Sequence, residues 1–146
     1  MQLTKQTDFA FRTLLYLARL PEDELGNIQQ LAEFYGISQH HIAKVVVKLG
    51  HLGYIHTVRG KGGGIHLSKQ AYSVSLADIV CAFESSMEAV NCKEPACRLA
   101  PNCKLKGVLD DAMQAFLAVL QRYTLADIVD SDVQVINTLL PGTAAD

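Results

Sequence analysis

The chain has 146 residues, is 49% hydrophobic, and carries 13 basic against 15 acidic residues for a formal net charge of -2. That length suits one domain with an extension, and the near-neutral balance excludes a chain that finds its partner through bulk charge. No apolar run is long enough to span a bilayer and the opening MQLTKQTDF lacks the apolar core of a signal peptide, so the expected setting is the cytoplasm, away from membranes, with cysteines reduced.

In chain order, Phe9 to Leu20 is dense in Phe, Leu and Ala and predicts a buried helix. PEDELGN follows as a turn-rich connection. Asn27 is placed to cap a second helix, with Gln30 three residues on completing a capping box. Ile28, Leu31, Ala32 and Tyr35 then fall on one helical face. Gly36 ends that helix, Ser38 caps the next, and Ile42, Val45, Val46 and Leu49 repeat the same spacing. Two short amphipathic helices joined by YGIS are the sequence form of a helix-turn-helix. Gly53 ends the third helix, and YIHTV and IHL flank RGKGGG, which predicts a two-stranded hairpin with a flexible basic tip. The tip lacks the spacing and terminal Lys-Ser or Lys-Thr of a phosphate loop. A helix-turn-helix followed at once by a basic hairpin describes a winged helix over residues 1–80.

Ser75 is placed to cap a further helix with Leu76, Ile79, Val80 and Phe83 on one face. Cys81 lies in the same apolar region, where a small hydrophobe belongs, and is expected in the core. The end of this helix and a cysteine loop make up residues 81–104. Leu105, Val108, Leu109, Ala112, Phe116, Val119, Leu120 and Tyr123 then trace an apolar stripe over roughly five turns. A small domain has little core left to cover it, so 105–129 is expected to be a dimerisation helix and C-terminal turn. SLADIV and TLADIV each place a hydroxyl at a cap and an Asp three residues later, which is helix-start chemistry before it is an internal repeat. Residues 130–146 have the character of a tail. The expected fold class is mainly α with a small β-hairpin: a winged helix-turn-helix plus a long dimerisation helix.

Charge is distributed unevenly. Between Glu33 and Asp78 there is no acidic residue, while that window holds Lys44, Lys48, Arg59, Lys61, Lys69 and all five histidines. A nearly neutral chain thus carries a cationic segment where a winged helix meets phosphates. Ser38, Gln39, His40, His41 and Lys44 are the polar positions at the start of the third helix, the part that meets base edges in a helix-turn-helix. Gln39 suits adenine, and Lys44 suits guanine or phosphate. Arg59 and Lys61 at the hairpin tip suit the minor groove or its phosphates. The histidines are scattered over helix and strand and offer no compact metal-ligand set, so contact with DNA or solvent is expected.

The segment CKEPACRLAPNC spaces its thiols as Cys92-x4-Cys97-x5-Cys103 on a loop stiffened by Pro95 and Pro101. Zinc knuckles use tighter Cys-x2-Cys spacing, whereas longer arms suit a larger object such as an iron–sulfur cluster. A disulfide between two of the three leaves an odd thiol.

The stretches MQLTKQTDFAFRTLLYLA, YGIS, VRGKGGGIHL, SLADIV, CKEPACRLAPNC and YTLADIV resemble the NsrR type within the bacterial family of iron–sulfur winged-helix regulators, to which the cluster-biogenesis repressor also belongs. The likeness runs from Met1 to about Val129. It implies a transcriptional repressor, a homodimer on an inverted-repeat DNA operator, with a 4Fe-4S cluster on each subunit. It also implies that nitric oxide destroys or nitrosylates the cluster and releases the DNA. In the cluster-biogenesis relatives a histidine near the third cysteine is a ligand. Here Lys104, Leu105, Lys106 and Gly107 stand there, and no histidine follows His66. The NsrR type resembles a three-cysteine site completed by an aspartate near the start of the first helix, donated by the other subunit. The implied ligands are therefore Cys92, Cys97, Cys103 and Asp8 of the partner subunit. The same donors suit a 2Fe-2S cluster. The competing expectations are a relative that senses iron, oxygen or cluster supply, a metal-free thiol switch, and a zinc-binding winged helix. No Ser/His/Asp or Cys/His pairing suggests an enzyme.

Overall fold

The computed structural model describes residues 2–131; of the expected tail, residues 132–146 lie outside the described residues. Helix α1 spans Lys5–Leu17, four residues ahead of the apolar run that announced it. Its start is set by Thr4, whose side chain accepts from the Thr7 N–H, and Asp8 in the first turn suits the positive end of the helix dipole. Helix α2 spans Ile28–Tyr35 and helix α3 spans Gln39–His51. Asn27 and Ser38 cap them as expected, Asn27 accepting from the Gln29 N–H and Ser38 from the His41 N–H, while no Gln30 side-chain bond completes the expected capping box among the described residues. Gly36 closes α2 at φ 64°, a left-handed conformation that glycine adopts without a Cβ penalty. Between these helices lies the core, where Ala10, Leu14, Leu31, Ile42 and Leu49 are fully enclosed.

Strand β1 (Ile55–Val58) pairs antiparallel with β2 (Gly64–Leu67), Ile55 opposite Leu67 and Val58 opposite Gly64. Ile55 and Ile65 are buried in the core cluster. The turn between the strands needs glycine: Gly60 and Gly62 have φ of 100° and 78°. A Cβ on Gly63 would stand 2.2 Å from the Val58 carbonyl oxygen. The other edge of β2 is tied to the α1–α2 connection by a two-way bridge, Gly26 N–H to the Ile65 carbonyl at 2.7 Å and Ile65 N–H to the Gly26 carbonyl at 2.9 Å.

A 3-10 turn over Lys69–Ser73 leads to helix α4 (Leu76–Phe83), which buries Ala77, Ile79, Val80 and Phe83. Cys81 is exposed, contrary to its expected place in the core. The buried positions centre between Val80 and Phe83, Ala77 marks the edge of that face, and Cys81 lies beyond the edge, roughly 125° from its centre. Helix α5 spans Lys104–Leu120 and helix α6 spans Leu125–Ser131. The two similar hexamers start α4 and α6 side by side. Ser75 bridges Thr124, the Leu76 N–H donates to the Tyr123 carbonyl, and the Leu125 N–H donates to the Val74 carbonyl. In each hexamer the capping hydroxyl donates to the Asp three residues on, at 2.7 Å.

Helix α5 buries only Met113, a residue outside the anticipated stripe. Leu109, Phe116 and Leu120 lie half-buried, while Leu105, Val108 and Val119 are 65%, 64% and 46% exposed. Part of the stripe thus serves this domain, and the rest is an apolar face that these residues leave uncovered.

Replacing Gly36 with alanine places a Cβ in the left-handed region with nothing nearby to relieve or reward it. The expected cost is about 1 kcal/mol, read as a fall of roughly 3–6 °C in the thermal unfolding midpoint; an unchanged midpoint contradicts the cap assignment.

Candidate DNA interface and cysteine loop

The start of α3 owes its position to Ser38, whose hydroxyl caps the helix and lies 2.9 Å from His41 Nδ1. Because Ile42, Val45, Val46 and Leu49 are pinned in the core, the opposite face of α3 is presented outward. Ser38, Gln39, His40, His41 and Lys44 are all exposed there, and Arg59 and Lys61 are exposed at the hairpin tip. The structure therefore gathers the first five residues on one helix start and carries the other two on a separate element.

Two features of this surface have no pattern in the sequence. Phe9 of α1 lies against the His41 ring, with centroids 6.0 Å apart. Lys5 and Gln6 line a small cleft together with Phe9, His41 and Lys44.

The cysteine loop joins α4 to α5. Asn91 Oδ1 accepts from the Lys93 and Glu94 N–H groups and folds the chain around Cys92. The Cys97 N–H donates to the Cys92 carbonyl at 3.0 Å, the Ala100 N–H donates to the Cys97 carbonyl, and Cys103 stands just before α5 without a side-chain capping bond. All four cysteines are free thiols; Cys92 and Cys103 are half-buried and Cys97 is exposed. Among the described residues no three Cys, His, Asp or Glu side chains are gathered around one point as metal ligands. By chemistry the loop fits an iron–sulfur cluster. Its three thiols are unpaired and at least partly accessible, and soft thiolates are what such clusters take. Within its own chain Asp8 is engaged by Arg12, with both carboxylate oxygens 2.9 Å from Arg12 Nε. Arg12 also lies over the Tyr35 ring at 5.4 Å.

The residue that connects loop and DNA-reading unit is Glu84, at the end of α4. Its Oε1 accepts from the Thr4 N–H at 2.8 Å, from the Thr4 hydroxyl at 3.1 Å and from the Thr7 hydroxyl. Burial alone would raise the Glu84 carboxyl, but the hydrogen bonds from Thr7 and Thr4 outweigh it and hold the pKa below the ordinary value of 4.5. Its neighbour Phe83 receives Lys48 Nζ of α3 at 4.6 Å from the ring centroid. A single acidic residue following an apolar helix gives no sequence signal for either link.

A capped helix presented outward, a basic glycine-rich wing and an acid-free window between them define a winged-helix DNA-binding regulator. The chain belongs to the Rrf2 family of iron-dependent transcriptional regulators, whose family model matches residues 3–131. It is therefore a DNA-binding transcriptional regulator and not an enzyme. The fold is similar to that of CymR, the global cysteine regulator of B. subtilis: TM-score 0.68 at 19% identity, covering 90% of this chain and 98% of that one. IscR of T. potens is similar at TM-score 0.69 and 18% identity, covering 100% and 93%. The oxidised form of Staphylococcus aureus CymR gives TM-score 0.70 at 22% identity, covering 89% and 97%. Identities this low establish the shared winged-helix fold and leave function to the site. Among the described residues no helix is long and apolar enough to cross a membrane.

Because the folded Glu84 pKa is depressed, its charge stabilises the protein above the ordinary glutamate value, and that contribution is lost as pH falls through the folded value. Glu84→Gln removes the charge. The expected result in thermal melts is a wild-type advantage at pH 7 that shrinks as the pH drops below 4.5, whereas a pH-independent gap contradicts the ionised clasp.

Proposed function

We propose that this chain is a homodimeric repressor that binds an inverted-repeat operator and senses nitric oxide through a 4Fe-4S cluster. The ligands are Cys92, Cys97, Cys103 and Asp8 of the partner subunit. The observation that carries the proposal is the set of three free thiols on one turn-built loop, with no histidine beside them, in a chain of an iron-dependent regulator family. When bound, the cluster supplies iron as the site at which nitric oxide reacts.

The chain's own residues make such a site responsive. A carboxylate is a harder and weaker ligand than thiolate for a soft centre, so Asp8 is the ligand most readily given up. Its pairing with Arg12 is an exposed i,i+4 pair, worth roughly 0.3–0.5 kcal/mol, too little to keep Asp8 from a partner subunit. The uncovered face of α5, with Leu105, Val108 and Val119, is the surface on which two copies meet. Asp8 is followed directly by Phe9, which touches His41 on the recognition helix. A shift of the first turn of α1 is thus passed to the groove-reading residues without crossing a flexible segment. Two recognition helices must span half-sites about 34–36 Å apart, so a small rotation of the subunits misplaces one of them. In the bound state Ser38, Gln39, His40, His41 and Lys44 face the major groove, and Arg59 and Lys61 hold the flanking phosphates or minor groove.

A thiol switch is the second reading, favoured by the exposure of Cys97 and by a structural relative solved in an oxidised form. It differs in needing no iron.

The test is operator binding by anaerobically purified, cluster-loaded protein, followed by fluorescence anisotropy during nitric oxide titration. The expected outcome is at least a tenfold loss of operator affinity, with no such response in Cys97→Ser. Unchanged affinity after nitric oxide overturns the assignment, and a response to peroxide alone in iron-free protein points to the thiol switch.

A further inference from the structure

A cavity of about 680 Å³ lies at the root of the wing, between the α1–α2 connection and the hairpin. It has no part in the cysteine site. His56 and His66 line it from the two strands, and Glu22 and Glu24 line it from the connection. Sequence spacing made the histidines look scattered, but the hairpin register sets these two directly opposite each other.

The ladder fixes how they face. Gly26 and Ile65 exchange both backbone hydrogen bonds, so the Ile65 polar groups point away from β1. The neighbouring His56–His66 pair is then the hydrogen-bonded type, with Cα atoms about 5.5 Å apart and both side chains on one face. That face is opposite the one that sends Ile55 and Ile65 into the core. The ring centroids are 5.4 Å apart and the planes are inclined by 44°. Two imidazoles on a tetrahedral zinc ion, each with a Zn–N bond of about 2.1 Å, carry their centroids roughly 5.2 Å apart. His66 Nδ1 donates to the Leu67 carbonyl at 3.0 Å, which leaves its Nε2 lone pair for a ligand. Metal-binding histidines are commonly oriented by a backbone carbonyl in this way. Ser68, only 6% exposed, lines the same cavity, and its Oγ has no hydrogen-bond partner among the described residues.

We infer that His56 and His66 form a chelate for a borderline-soft divalent cation, zinc above all, in the cavity at the root of the wing. No third ligand is already in place among the described residues, so the two imidazoles are the first to take the cation. Water and the exposed carboxylate of Glu22 or Glu24 complete the four-coordinate shell, and a coordinated water is the natural partner for Ser68 Oγ. Such an ion staples the wing to the α1–α2 connection and stiffens the hairpin that carries Arg59 and Lys61. The inference is independent of the cysteine loop and of nitric oxide.

The experiment is a zinc titration of the full-length chain, followed by imidazole nitrogen NMR and continued past the equivalents that cysteine thiolates take up. The expected result is a shared shift of the His56 and His66 ring nitrogens, with His40, His41 and His51 unmoved. His56→Asn and His66→Asn should each weaken that event at least tenfold while leaving the circular dichroism spectrum unchanged. If a variant fails to fold, the wild-type spectra decide by themselves. No shift of these two rings at roughly tenfold molar excess of zinc, or equal shifts of all five histidines, overturns the chelate.

Discussion

The arrangement depends on a clasp made by one carboxylate. Glu84 ends α4, opens the segment that holds the cysteines, and accepts hydrogen bonds from Thr4 and Thr7 at the start of α1. Charge-assisted bonds of this kind are roughly twice as strong as neutral ones. The same turn of α1 carries Asp8 and Phe9, and Phe9 reaches the recognition helix through His41. Phe83, next to Glu84, reaches that helix again through Lys48. The cysteine loop is therefore fastened at its origin to the two elements whose relation decides how α3 is presented.

Much of the fold was legible because it is written in short-range physics. The α2 and α3 faces follow from apolar spacing, their ends from Asn27, Gly36 and Ser38, and the wing from β-prone flanks around glycines. The side-by-side starts of α4 and α6 explain why SLADIV and TLADIV look alike: each needs the same hydroxyl-to-aspartate cap, and their backbones bridge. The early start of α1 was hidden because Lys5, Gln6 and Thr7 add little apolar signal while Thr4 supplies the cap. Cys81 was misjudged because one apolar residue beside a stripe differs from a stripe member only by its angle around the helix.

The candidate site divides in the same way. Cysteines close in sequence and a basic segment free of acids are patterns in one dimension. The Glu84 clasp spans 80 and 77 residues, and the His56–His66 pair depends on strand register. Contacts of that kind leave no periodic trace. The stripe on α5 shows the limit clearly: its apolar spacing was plain, yet only packing separates Met113, turned inward, from Leu105, Val108 and Val119 on the uncovered face.

The wing and the cysteine loop lie on different elements, so DNA binding and the sensing proposed for the loop are separable in this chain. In the proposed reading a cluster held by the loop joins them, and the Glu84 clasp is the path from the loop to α1. The most direct measurement is iron and acid-labile sulfide per chain in protein purified without oxygen. About four of each is the expected content for a 4Fe-4S cluster on Cys92, Cys97, Cys103 and Asp8 of the partner subunit. Stoichiometric zinc on the thiols, or no iron at all, contradicts it.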